Sequence, residues 1–377
     1  MQNLTMQTAI PTVFMRGGTS RGPFFLESDL PPDVPTRNRV LLAALGSPDK
    51  RQIDGLGGAH PLTSKVGIVR RSVVEGVDLD FLFAQLQPDS ESVDTTPNCG
   101  NMLAAVVPFA LETGLVEAQG ATTTLRVLTL NTDMQCDVTV ETPGGSIHYE
   151  GEARIDGVPG TSAPVTINFL DTAGSVCASL LPTGRVLDKV RVNASGIDEF
   201  DIDVTCIDNG MPMVLMRAAD MNRCGTESVD ALNSDTELKV KLEALRLHCG
   251  HLMGLGDVSK KNYPKVCLVA APVAGGSIVT RCFIPHVCHE AIGVLAAVTI
   301  GTACVLNGSV TAGIAQVPKG DIKTISVEHP TGEFSVELEL DPTDPQRVTR
   351  AALLRTARLI MRGEVMIAAS IWKGNNT

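Results

Sequence analysis

The chain repeats itself at an offset near 200 residues. Gly55-Leu56-Gly57 leads into Ser64-Lys65-Val66-Gly67-Ile68-Val69, and Gly254-Leu255-Gly256 leads into Pro264-Lys265-Val266-Cys267-Leu268-Val269. Further on, Cys99 and the apolar run ending at Gly114-Leu115-Val116 echo Cys288 and the run Ala291 to Leu306, which ends at Gly308-Ser309-Val310. A strand-rich stretch follows each, Thr122 to Glu141 and Ile322 to Leu340. Chance accounts for some of these short matches, but it is a poor account of their shared order. The reading is a duplication: an α+β chain of two similar, pseudo-symmetric domains, each with strands wrapped around a central apolar helix.

A chain of 377 residues also exceeds what one core usually holds. The domains are placed at 1–185 and 186–377, with Pro182-Thr183-Gly184 as the linker and a C-terminal strand near 360–373 free to return to the first domain. Leu125 to Leu130, Cys136 to Val140 and Phe334 to Leu340 alternate with the period of a half-buried strand. Pro108 falls inside the first apolar run and is expected to kink or shorten its helix. In such an arrangement the two helix starts can face each other across the domain interface, a common place for a ligand cleft.

Composition narrows the function classes. The net charge of −11 opposes binding to nucleic acid or an anionic membrane. Only 3% of residues are aromatic, so platforms for stacking bases are nearly absent. Met1 to Thr12 show no basic segment leading an apolar core, and Ala291 to Leu306 falls short of the roughly 20 residues of a spanning helix. The expectation is a soluble cytoplasmic protein whose ten cysteines are reduced thiols.

Cys99 stands in Pro97-Asn98-Cys99-Gly100-Asn101-Met102, directly before the run Leu103 to Leu111, where a buried helix is expected to begin. Free N–H groups and the positive dipole end at a helix start attract anions and favour a thiolate. That marks Cys99 as the candidate reactive thiol, against the alternative of one more core cysteine. The loop Arg16-Gly17-Gly18-Thr19-Ser20 and the hydroxyls of Thr63 and Ser64 add donors suited to a small polycarboxylate. Gly-Gly by itself makes a turn, and Arg16 forms either a bidentate carboxylate pair or an exposed salt bridge. Lys65 leads an apolar strand, as a solvated end or as a base whose pKa falls by desolvation beside another cation such as Arg16. His286, Cys288 and His289, and His248, Cys249 and His251, resemble fragments of metal sites, but neither spacing completes one, and no metal is expected.

Met15-Arg16-Gly17-Gly18-Thr19-Ser20, Gln52-Ile53-Asp54-Gly55-Leu56-Gly57-Gly58, Leu62-Thr63-Ser64-Lys65, Asn98-Cys99-Gly100-Asn101, Ile207-Asp208-Asn209-Gly210-Met211-Pro212 and Glu328-His329-Pro330-Thr331-Gly332-Glu333 together resemble the PrpF family of methylaconitate and methylitaconate isomerases. The likeness runs from about Ile10 to Ile367. Within the family it is greatest to members that tautomerise 4-oxalomesaconate in gallate and protocatechuate breakdown. The resemblance implies a diaminopimelate-epimerase-like fold and a cofactor-free site that shifts a proton along an allylic carboxylate frame. It implies Lys65 as the principal acid/base, and Cys99 as a relay for the second proton or a group that polarises the substrate. Arg16, Gly18, Thr19, Ser20, Ser64, Asn98, Gly100 and Asn101 are then substrate-binding, joined by Lys265, Arg281 and Cys288 from the second domain. Cys288 is taken as the repeat equivalent of Cys99, lining the site or serving the core, and Lys265 and Arg281 bind a carboxylate or stand as surface charges. The expected partner is a small unsaturated di- or tricarboxylate, with no nucleic acid and no membrane, and a homodimer is left open. Two rivals stand beside 4-oxalomesaconate chemistry: isomerisation of 2-methylaconitate, aconitate or methylitaconate, and a non-catalytic accessory protein for an aconitase-like hydratase.

Overall fold

The computed structural model describes residues 6–170, 172–194 and 196–374, with 344–347 described by backbone alone. Met1 to Thr5 of the leading segment lie outside the described residues. The chain forms two units, Met1–Leu170 with Leu354–Thr377, and Asp171–Leu353.

Unit 1 contains β1 (Gln7–Gly17), β2 (Ser20–Leu26), α1 (Val34–Leu45), β3 (Lys65–Arg71), β4 (Leu79–Leu86), β5 (Val93–Asp94), α2 (Gly100–Leu103), α3 (Val106–Glu112), β6 (Thr122–Thr129), β7 (Met134–Glu141) and β8 (Pro164–Phe169). Unit 2 contains β9 (Asp188–Val192), β10 (Phe200–Asp208), β11 (Pro212–Arg217), α4 (Val229–Ser234), α5 (Thr236–Leu252), β12 (Lys265–Ala270), β13 (Ile278–Phe283), α6 (Val294–Val305), β14 (Ile322–His329) and β15 (Gly332–Asp341). The long β16 (Asp344–Ala368) serves both: Arg350 to Leu353 pair with β15, and Ala357 to Ala368 pair with β1.

The duplication is explicit in the strand order. Unit 1 runs β16, β1, β2, β3, β4, β6, β7, β8, and unit 2 runs β9, β10, β11, β12, β13, β14, β15, β16. In each, the second and third neighbours are antiparallel, the next pair parallel, then antiparallel, parallel and antiparallel. A parallel pair needs a crossover, and the helices supply it. α1 lies between β2 and β3 as α4 and α5 lie between β11 and β12; α2 and α3 lie between β4 and β6 as α6 lies between β13 and β14.

The central helix differs between the units for a local reason. α6 is continuous and buried from Ala296 to Val305, as a helix apolar on all sides must be. Its counterpart breaks at Ala104-Ala105 into α2 and α3, with Ala105 N–H bonding Met102 O at 3.0 Å. Pro108 has no N–H for the carbonyl four residues back, which is that of Ala104, and its ring crowds that carbonyl. The alternating strings fall in β6, β7 and β15, with Leu125, Val127, Val138, Val140, Val336 and Leu338 buried on one face and Leu128 only half-buried on the other. Pro182-Thr183-Gly184 forms a turn inside unit 2, where Asp208 already pins the preceding segment by accepting the N–H groups of Val176 and Cys177 at 2.8 Å each. Among the described residues, no helix is long and apolar enough to cross a membrane.

Asp235 caps α5 by accepting Leu238 N–H at 3.0 Å and also meets Arg223 Nε at 2.7 Å. Burial raises its pKa, but the Leu238 N–H and the Arg223 guanidinium together outweigh that and hold the carboxyl below its ordinary range. Replacing Asp235 with Ala is expected to cost about 1 kcal/mol in urea unfolding at neutral pH. A depressed folded pKa contributes stability that is present above the unfolded value and lost as pH falls through the folded one. The gap between parent and variant should therefore close in acid.

Candidate active site

Lys65 is the first residue of β3, between β2 and β4. It is 8% exposed, which is rare for a lysine without an ion pair. Its Nζ lies 3.5 Å from Cys99 Sγ and 5.0 Å over the centroid of the Phe83 ring. Among the described residues no carboxylate reaches Lys65 within 4.0 Å. A thiol and a ring face thus stand where an ion-pair partner would be.

Cys99 is the N-cap of α2 with an extended backbone, and its carbonyl accepts Leu103 N–H at 2.9 Å. The helix starts where the sequence places it, though its first piece is one turn long. Gly100 and Asn101 open that turn, where N–H groups have no partner within the helix.

The hairpin tip between β1 and β2 rests on this turn. A Cβ on Gly17 would overlap Asn101 O, and one on Gly18, whose φ is +52°, would overlap the Asn101 side chain. Asn101 Nδ2 donates to Thr19 Oγ1 at 2.9 Å. Arg16 Nη1 donates to Gly18 O at 2.9 Å, Thr356 O at 3.1 Å and Thr356 Oγ1 at 2.9 Å. Arg16 therefore ties the tip to β16, and burial followed by the neighbouring Arg358 pulls its pKa below the ordinary value. The cation beside Arg16 is Arg358, and among the described residues no contact joins Arg16 to Lys65. Ser64 Oγ is likewise engaged, at 2.9 Å from both Gln52 Oε1 and His60 O. Ser20 differs: its hydroxyl is 2% exposed and has no hydrogen-bond partner among the described residues. Asn98 Nδ2 lies 3.2 Å from Thr129 Oγ1 and also contacts Thr132 Oγ1.

In unit 2, Lys265 opens β12 as Lys65 opens β3. Its Nζ lies 3.4 Å from the point a Cβ would occupy on Gly293, the N-cap of α6. The counterpart of Cys99 is therefore Gly293, and the expected equivalence with Cys288 is revised. Cys288 sits five residues earlier, buried in the unit 2 core, with its N–H on Asn233 Oδ1 at 2.8 Å and its thiol pushed up to about 11 by burial. The insertion between thiol and helix is invisible to short motif matching. Arg281 is 8% exposed and donates to Glu227 O at 2.7 Å and Thr280 O at 2.9 Å. His286 lies 3.6 Å from Glu243, His289 Nδ1 lies 2.9 Å from the Ala291 backbone, and Cys249 is in the core. Among the described residues, no three such groups converge on one point.

Two residues escaped the motif reading. Phe83 lies under Lys65, and only its place two positions before Gln85, the strand partner of Lys65, hints at it. Gln52 was visible in its motif without a role; its buried amide accepts Ala59 N–H at 2.9 Å and gathers the loop that seats Ser64.

The family described as PrpF protein matches residues 7–368. The chain is 52% identical over 357 residues to the (4E)-oxalomesaconate Delta-isomerase of Novosphingobium sp. strain KA1, covering 95% of this chain and 97% of that one. It is 50% identical over 368 residues to the 4-oxalomesaconate tautomerase of Pseudomonas putida, covering 98% and 99%. A crystal structure of methylitaconate-delta-isomerase superposes with a TM-score of 0.85 at 35% identity, covering 97% of each chain. The two α+β units thus share the fold of that isomerase. With a family match from the first strand to the last, and relatives half identical along nearly their whole length, the chain belongs to the PrpF family.

Proposed function

We propose that the protein is a cofactor-independent isomerase that moves one proton and one double bond along the allylic frame of 4-oxalomesaconate, with Lys65 as the acid/base and Cys99 as its partner. The approach of Lys65 Nζ to Cys99 Sγ at 3.5 Å carries this reading. An amine takes a proton from one end of the frame, leaving a dienolate, and the same amine returns it to the other end. Transfer on one face needs a single base, so a lysine with a glycine at the repeat-related helix start suits an isomerase better than a racemase, which needs a base on each face. The developing negative charge calls for donors placed in advance, each worth about 3 kcal/mol by analogy with oxyanion holes. The Gly100 and Asn101 N–H groups and the Ser20 hydroxyl are the donors the fold leaves for this.

The names of the half-identical relatives support oxalomesaconate as substrate, whereas relatives named for 3-methylitaconate and 2-methyl-aconitate are 36% and 32% identical. A spectrophotometric panel of these acids, followed by NMR in deuterated buffer, tests the assignment. Turnover should be fastest with 4-oxalomesaconate, with deuterium entering at allylic carbon. No turnover and no exchange with any acid would make the protein an accessory binder and overturn the reading. Cys99→Ser and Cys99→Ala then divide the thiol's two roles: losses as large as those of Lys65 variants indicate proton relay, smaller ones orientation.

A further inference from the structure

One side chain outside the pair holds both of its halves. β6 ends at Thr129 and the chain turns through Leu130-Asn131-Thr132-Asp133 into β7. Leu130 N–H donates to Phe81 O at 2.8 Å, the last backbone rung toward β4. The Asn131 amide extends the ladder past it: Oδ1 accepts Phe83 N–H at 2.9 Å and Nδ2 donates to Phe83 O at 2.8 Å. The other Nδ2 hydrogen goes to Thr95 O at 2.7 Å. Two carbonyls and one N–H around the amide leave a single assignment of its oxygen and nitrogen.

Both tethered segments lead to the pair. Phe83 carries the ring beneath Lys65 Nζ, and Thr95 stands four residues before Cys99. β5 ends at Asp94, so no strand ladder holds residues 95–99. Asn131 and the Asn98 contacts with Thr129 and Thr132 moor that segment to the same turn. The position demands one acceptor and two donors in a plane. Asp lacks the donors, Ser and Thr offer one, and Gln is a methylene too long.

We propose that Asn131 is a positioning residue for the Lys65–Cys99 pair, setting with one amide both the strand beneath the lysine and the segment that presents the thiol. This rests on the reading of that pair as the reacting groups. Asn131→Asp keeps the acceptor for Phe83 N–H but turns a carboxylate toward the Phe83 and Thr95 carbonyls. Amide exchange at 95–101 should quicken while exchange in unit 2 is unchanged, and kcat should fall about 100-fold, as for a misplacement near 1 Å. KM should move little, while the unfolding midpoint falls with the two lost hydrogen bonds. If the aspartate variant does not fold, Asn131→Ser, uncharged and short of one donor, is read in the same way. Parent-like exchange at 95–101, or parent-like kcat, overturns the role. Lys65→Met separates the two ideas: an inactive Lys65→Met beside a fully active Asn131→Asp overturns the role of Asn131 alone, and an active Lys65→Met overturns the pair and the positioning role with it.

Discussion

Lys65→Met is expected to lose at least about 10³ in turnover, the range for removing a positioned acid/base. Methionine keeps an unbranched chain of similar reach over the Phe83 ring, so burial and packing at the head of β3 survive while the amine is lost. Far-ultraviolet circular dichroism and the urea midpoint should match the parent, which confines the effect to chemistry. Lys65→Arg should not rescue it, because a guanidinium keeps its proton at neutral pH and cannot act as the base. Turnover within tenfold of the parent in Lys65→Met would remove the amine from the reaction.

Gly22→Ala is expected to damage both the fold and the activity. Gly22 lies on β2 beside the residue that opens β3, and a Cβ there would overlap the Lys65 carbonyl oxygen and come 2.8 Å from its carbon. Backbone cannot swing aside as a side-chain end does, so β2 and β3 must separate at Lys65. Overpacking of this kind costs about 1–3 kcal/mol. The variant should show a lowered urea midpoint and, where still folded, a fall in kcat, since Nζ is displaced from Cys99. Parent-like stability and kcat would mean that the strands accommodate the methyl group and that Lys65 is placed by something other than this contact.

Much of the fold was legible because its determinants are local or periodic. Alternation in β6, β7 and β15 follows from one buried sheet face, and Pro108 announces the break four residues before it. The repeat announced the two units because duplicated strands keep their order. The site was legible in part. Lys65 and Cys99 stood out by their positions at the heads of a strand and a helix, and the structure brings them together. Arg16 and Ser64 read as ligand donors by type; in the structure Arg16 Nη1 bonds Gly18 and Thr356, and Ser64 Oγ meets Gln52 and His60, contacts that residue type alone does not announce.

By itself the sequence determined the duplicated α+β architecture and the strand periodicity and singled out Lys65 and Cys99 as candidates, since each is encoded in spacing along the chain. Tertiary structure decided that Gly293 and not Cys288 answers to Cys99, that Phe83 lies under the lysine, and that Asn131 reaches both β4 and the segment leading to Cys99. These depend on which atoms of distant segments come within a few ångströms. Lys65 and Cys99 are 34 residues apart in the chain, and Asn131 and Phe83 are 48 apart. Hydrogen bonds and ring contacts act only at such range, and no local pattern records which segments packing brings into it.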